Sequence, residues 1–455
     1  MATSTTQALR NAGVRRVLAP GDPGYASETS GFDLGVACLP DVVVAVQTPA
    51  DVAATVAVAG ERGERLTVLG SGHGRLHEVR GGVAISMRAL ASVEVDTGKR
   101  SARIGAGATW EPVLTATAPH GLAPLCGSAP AVGVAGYLLG GGLGPLARTY
   151  GFSADHIQDI DIVTPADGGV TVTAESDPDL FWALRGGKGG LGVVTAVTIG
   201  LLPLTEVYGG ALYFGAADVP AVLAAYTEWS PALPESTTAS IALLRLPESD
   251  ALPDAIRGQR VAHVRVASTD APTSAERQLA AIRAVAPPLL DTIGRLPYEH
   301  IGTIHGDPIT PMHVANGSAA LATFDADTVA DLLAVAGPQT DTPLSSVEIR
   351  TLGGAVARQA PVPNAVGGRS AAHNLNVYAA PDPALGDSER LAAARSVLDS
   401  VTQWRASIEL INFVGRANQA DAVLRSWSPG QNDRLDTIRS GHDPAGMFPF
   451  GRHAT

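Results

Sequence analysis

The sequence predicts an α+β protein of two domains, a glycine-rich first half and a second half built on a mainly antiparallel sheet covered by helices. Three observations carry that expectation. At 455 residues the chain exceeds what one hydrophobic core usually serves. Short β-branched runs joined by hairpin turns mix with helices and do not follow a regular βαβ succession. Near residue 206 the texture changes, and longer strand-like runs alternating with helices replace the glycine loops.

The elements follow in order. Asp41 to Gly63 reads as a strand, a helix entry at Thr48-Pro49, and an apolar-periodic helix ending at Gly60 or Gly63. RLTVLGSGHG is a strand running into a glycine loop. GVAISM and SVEVDTGKRSARIGAGATW supply further strands, the latter pair turning at Gly98, before a helix from Glu111 to His120. DIDIVTPADGGVTVTAE is a hairpin, DPDLFWALRGG a short helix entered at Asp177-Pro178, and GVVTAVTIGLLPL a closing strand. Beyond 206, helices are expected near 217–230, 274–286, 325–336 and 388–402. Strands are expected at TASIALLRL, RVAHVRVA, SSVEIRTLGG and HNLNVYAA, with ASIELINFVG (406–415) as the last. The tail holds a helix ended by Gly441 and Asp443-Pro444. The expected units are 1–205, with a core of about 36–205; 206–415; and 416–455, returning to the first.

Composition excludes several classes. With 32 basic against 44 acidic residues the net charge is −12, and no Lys/Arg cluster offers a nucleic-acid footprint. Cys38 and Cys126 make neither a metal-ligand spacing nor a disulfide framework, so no metal is expected and a reducing compartment is. No apolar run approaches the roughly 20 residues that span a bilayer. Arg15-Arg16 lacks a following apolar segment, and the expected location is cytoplasmic.

Three glycine clusters lie in the first half: Leu69 to Gly82, Gly127 to Gly144, and Arg185 to Val194. Alternating glycines let backbone approach a ligand closely, and consecutive N–H groups cradle phosphates. None is a dinucleotide fingerprint of the strand–loop–helix kind, because the Gly140–Gly144 stretch lacks that context. Gly187-Lys188-Gly189 lacks the hydroxyl of a P-loop.

Taken together and in order, TPADVAATVAVAGERGERLTVLGSGHG, GGVAISMRALASVEVD, ARIGAGATWEPV, VGVAGYLLGGGLGPLARTYGFSADHI, DPDLFWALRGGKGGLGVVTAV and RLDTIRSGHDPAGMF resemble a known family. It is the vanillyl-alcohol oxidase and p-cresol methylhydroxylase (PCMH) superfamily, nearest its branch of berberine bridge enzyme and 6-hydroxy-D-nicotine oxidase. The resemblance covers about 36–205 and 430–455. It implies a two-part PCMH-type FAD-binding domain, FAD as cofactor, and oxidation of a small organic molecule.

Carried over residue by residue, the resemblance implies one covalent 8α-histidyl bond to FAD at His73, with His77 the alternative. Gly70, Ser71, Gly72 and Gly74 face the phosphates; Ser71 stands where the family usually has glycine. Ser128, Val132, Gly133, Gly136, Tyr137, Gly141, Gly142, Gly144, Gly192 and Val194 complete the expected cofactor walls. A second, cysteinyl link is not expected, because Ala129 occupies its place and Cys126 is out of register. A valine at 132 resembles the oxidases and implies dioxygen as acceptor. The candidate catalytic residues are Tyr150, Asn374 and Asn376, with Tyr137, Tyr378 and His373 in reserve. The family's Asn-Tyr pair is here Asn412-Phe413, which removes the usual phenol. Arg350 and Arg369 are read as surface arginines, open to an acidic or sugar-bearing molecule or else serving solubility. The pattern leaves open an alcohol, an amine or a polycyclic natural product as substrate. The alternatives are a dehydrogenase with another acceptor, or a flavin-retaining binding protein without turnover.

Overall fold

The computed structural model describes residues 4–381 and 384–450. The end of the expected tail, 451–455, lies outside them.

The first half holds two main sheets, beside a two-stranded parallel pair of Cys38–Leu39 with Val79–Arg80. β1 (Val17–Leu18), β2 (Val42–Ala45), β3 (Leu66–Leu69) and β4 (Val83–Ser86) form a sheet in the order β1-β2-β4-β3. Its β2-β4 and β4-β3 pairs are parallel. The parallel pairing follows from helix α1 (Pro49–Arg62), which carries the chain back between β2 and β3. Thr48 and Asp51 make a reciprocal capping box at its start, Pro49 occupies the first turn, and Gly63 at φ 65° ends it. The second sheet is antiparallel: β5 (Val93–Asp96), β6 (Ser101–Gly105), β7 (Ile157–Thr164), β8 (Gly168–Val172) and β9 (Val193–Gly200), in the order β8-β7-β9-β6-β5. Helices α2 (Trp110–Thr117), α3 (Val134–Leu139), α4 (Ala147–Tyr150) and α5 (Pro178–Leu184) fill the connections.

The second half is one eight-stranded antiparallel sheet. Its long strands are β10 (Glu206–Gly215), β11 (Thr237–Arg245), β12 (Arg260–Ser268), β13 (Ala315–Leu321), β14 (Ser346–Thr351) and β15 (His373–Ala379), in the order β10-β12-β11-β14-β15-β13. Two short strands, Leu290–Asp291 and Gly294–Pro297, pair with β10 at the edge. Helices α6 (Val219–Trp229), α7 (Pro272–Arg283), α8 (Ala326–Ala336) and α9 (Asp387–Ser400) cover one face.

Alternation along the strands decides which face that is. Ile241, Leu243, Val264, Val266, Val347, Ile349, Leu375 and Val377 share one core with Leu223, Leu279, Leu332 and Leu398 of the four helices. The residues between them (Ser240, His263, Arg265, Glu348, Arg350, Asn374 and Asn376) are polar and yet buried or half-buried. The polar face is covered by the first half of the chain.

One expected strand is absent. Residues 406–415 form a loop with a 3₁₀ turn at Ile411–Phe413. Tertiary bonds win over the β-branched composition: Asn412 donates to the Tyr137 carbonyl at 2.8 Å and accepts from the Lys188 ammonium at 2.5 Å. Helix α10 (Pro429–His442), the last helix of the described residues, braces the third glycine loop. Arg439 donates to the carbonyls of Gly189 (3.0 Å) and Gly187 (2.8 Å).

Candidate functional site

The first two glycine loops, separated by some sixty residues, are joined by one hydroxyl. Ser71 Oγ accepts from the Gly133 amide at 3.0 Å and lies 3.0 Å from His73 Nδ1. Gly72 makes the turn possible. Its φ is +76°, and a Cβ there would sit 2.6 Å from Gly31 Cα. The Phe32 amide donates to the Ser71 carbonyl at 2.9 Å, and the Phe32 ring stacks on the imidazole at 4.1 Å and 11°. His73 is thereby held in one orientation. Its Nε2 is buried without a hydrogen-bond partner, and burial pushes its pKa down to about 4, so the ring is neutral at pH 7.

Beside this ring the walls are bare. A Cβ built on Gly70, Gly74 or Gly136 meets no atom within 4 Å. Other glycines of the cofactor set have a different task. Gly142 and Gly144 pack against the Tyr137 ring and the Cys126 carbonyl, with Cβ distances of 2.4 and 2.0 Å, while Gly141 faces Val366 and Phe152. Gly192 sits against the Val163 carbonyl, and Val194 is a buried residue of β9. These five contacts are with protein. Tyr137 stands edge-on to Trp110 at 5.5 Å, and Val132 is half-buried, its carbonyl bonded by the Trp110 amide. His77 is exposed, away from the clamp that holds His73.

Lys188 was missed as a site residue. Its backbone takes φ +69°, a conformation suited to glycine, and its ammonium bonds the Gly136 carbonyl at 2.8 Å as well as Asn412. Burial lowers its pKa to about 8. The signal was a lone lysine inside a run of four glycines.

The polar sheet face carries the second part of the site. Glu348 accepts from Arg265 at 2.5 Å and from Arg350 at 2.9 Å. Burial alone would raise its carboxyl; Arg350 and Arg265 hold it below the ordinary value. Arg350 also lies over the Phe413 ring at 5.2 Å and reaches Ser128 Oγ at 3.4 Å, while Ser128 donates to Asp307 at 2.7 Å. A narrow cleft lies between the 143–147 segment and this face, lined by Gly144, Ala147, Ser240, Arg265, His305 and Arg350. In register beside the ion pair, Asn376 stands opposite Glu348 and Asn374 opposite Arg350. Both Asn374 amide atoms and Asn376 Oδ1 are buried and unpartnered.

Two sequence readings need correction here. Arg350 and Arg369 are not surface residues: Arg369 is buried against Asp155 at 2.6 Å, and Arg350 belongs to the cleft. His373 points to the opposite, helix-covered face, 5.6 Å from the Phe324 ring, because its parity is that of Leu375 and Val377. Tyr150 sits on α4, whose packing is with the 354–357 turn and β11, and its side chain is half-buried against the first core. Tyr378 is on β15 opposite Ser346, with the parity of Asn374 and Asn376. Cys126 is a buried free thiol 3.7 Å from the Tyr298 hydroxyl. Among the described residues no His/Cys/Asp/Glu group has metal-site geometry, and no helix is long and apolar enough to cross a membrane.

The family described as FAD binding domain matches residues 40–174, the stretch that contains both joined loops. The moss protein Physcomitrella patens BBE-like 1 superposes with a TM-score of 0.86 over 100% of this chain and 99% of its own, at 19% identity. The whole-chain fold is thus that of berberine bridge enzyme-like proteins, and residues 40–174 match an FAD binding domain. An FAD-linked oxidoreductase of Bacillus subtilis is 28% identical over 233 residues, 50% of this chain and 52% of that protein. The (R)-6-hydroxynicotine oxidase of Paenarthrobacter nicotinovorans is 29% identical over 221 residues, 48% of this chain and 45% of that protein. The match thus spans about half the length of these curated relatives. The site fits FAD on its own geometry, through a buried nucleophilic nitrogen without a partner and three glycines facing open space.

Proposed function

We propose that the protein is an FAD-dependent oxidase of a small organic molecule, with His73 holding the cofactor by one covalent bond and dioxygen as electron acceptor. The observation that carries this reading is the junction of the two glycine loops at Ser71 and Gly133, beside the buried, partnerless Nε2 of His73. Gly70, Gly74 and Gly136 supply the close-approach walls. When bound, FAD supplies a two-electron acceptor for hydride.

The chain's own residues bind and orient the substrate. Asn374 and Asn376 offer unfilled hydrogen-bond capacity on the polar sheet face, and Phe413 with Arg350 narrows the cleft. Neither amide is a base. Glu348 is occupied by two guanidiniums, and burial with Asp307 nearby pushes the Tyr378 phenol up to about 12, so that at pH 7 it donates a hydrogen bond. This supports a substrate that needs no strong base, above all an amine oxidised in its neutral form, over a simple alcohol. Tyr150 remains the proposed phenol for an alcohol. The half-buried Val132 supports dioxygen as acceptor, and two free, buried cysteines support a cytoplasmic location.

The test is anaerobic mixing of the purified protein with a panel of amines and alcohols, followed by air or by a dye acceptor. Bleaching of a flavin spectrum by an amine and its rapid return in air are expected. Return with dye alone would replace the oxidase by a dehydrogenase, and an unbleached flavin across the panel would leave a flavin-retaining binding protein.

A further inference from the structure

Ser71 is the residue at which this chain departs from the glycine usual in the resembled family, and it is also the residue that touches His73. Its hydroxyl has two acceptor lone pairs and one proton. The Gly133 amide takes one lone pair at 3.0 Å. One lone pair and the proton remain for His73 Nδ1, also at 3.0 Å. A serine so placed serves the imidazole in both tautomers. It accepts from Nδ1–H when Nε2 is bare, and it donates to Nδ1 once Nε2 has been alkylated. Stacking on Phe32 fixes the ring plane, which leaves Nε2 as the nitrogen without a protein partner.

We propose that Ser71 is the positioning residue for cofactor attachment, directing the bond to His73 Nε2 and relaying the Nδ1 proton as that bond forms. The proposal rests on the FAD reading above. Atoms balance as follows. The Nε2 lone pair forms a bond to the flavin 8α carbon, that carbon loses one hydrogen as a proton, and the imidazole loses its Nδ1 proton through Ser71 Oγ. The two electrons and two protons released reduce dioxygen to hydrogen peroxide.

The test uses apoprotein reconstituted with FAD in air, with covalent flavin read by acid precipitation against time and total flavin read before precipitation. Ser71→Ala and Ser71→Gly are expected to take up FAD without covalency and then attach it about tenfold or more slowly, the loss of one hydrogen bond of ordinary strength. Ser71→Thr, which keeps the hydroxyl, is expected to attach FAD near the wild-type rate. Proteolysis of the wild-type product should yield a flavin peptide alkylated at Nε2. Equal attachment rates in wild type, Ala and Gly variants would overturn the role of Ser71, as would a Thr variant as slow as Ala or a wild-type bond at Nδ1. A wild-type apoprotein that takes up no FAD at all would instead overturn the cofactor reading.

Discussion

His73 shows how a single residue gains its chemistry from burial. Imidazole in water would be partly protonated at pH 6.5, whereas here it is neutral down to about pH 4. His373, on the far side of the other sheet, is pushed down to about 4 as well, chiefly by burial and then by Arg148. The sign of the linkage follows. Below pH 6.5 the unfolded chain binds protons that these rings refuse in the folded state. Stability is therefore full above about pH 6.5 and declines as pH falls toward 4. Urea midpoints between pH 7 and 4 check this; a flat profile contradicts it. At Phe413 the expected change is chemical. Phe413→Tyr places a phenol by the Arg350 guanidinium, 5.2 Å from the ring. The variant should fold and gain an alkaline ionisation in its kcat/KM profile; an unchanged profile would separate this position from the reacting substrate.

At the scale of elements, legibility followed locality. The start of α1 was readable because Thr48, Pro49 and Asp51 act within four residues. The loop at 406–415 was not, because the bonds that override its strand-like composition come from Tyr137 and Lys188, far away in sequence. Strand β14 misled in a subtler way. Val347-Glu348-Ile349-Arg350 has the alternation of a half-solvated strand, and nothing local says that its charged face is covered. The pair to Arg265 on β12 reveals it. Glu348→Gln would leave two buried guanidiniums without their carboxylate, a loss of about 3–5 kcal/mol by the usual cost of breaking such a group. Denaturant unfolding measures it, and a change under about 1 kcal/mol would show the network to be better hydrated than its burial implies.

For the whole molecule, the order of the glycine-rich segments carried the fold because each is constrained by close approach. Gly72, Gly142, Gly144 and Gly192 all have Cβ positions already filled by neighbouring atoms. Which glycines face open space was not legible, since that depends on the contact between loops. The parallel β2-β4-β3 unit and the polar sheet face are likewise properties of assembly.

Trypsin cleavage after Arg65 and Arg75 releases Leu66–Arg75, a peptide whose only histidine is His73. Its mass in protein purified with ample FAD tests the central claim directly. The account predicts that the peptide carries a flavin adduct. An unmodified peptide, from protein that binds no flavin by any means, would contradict it.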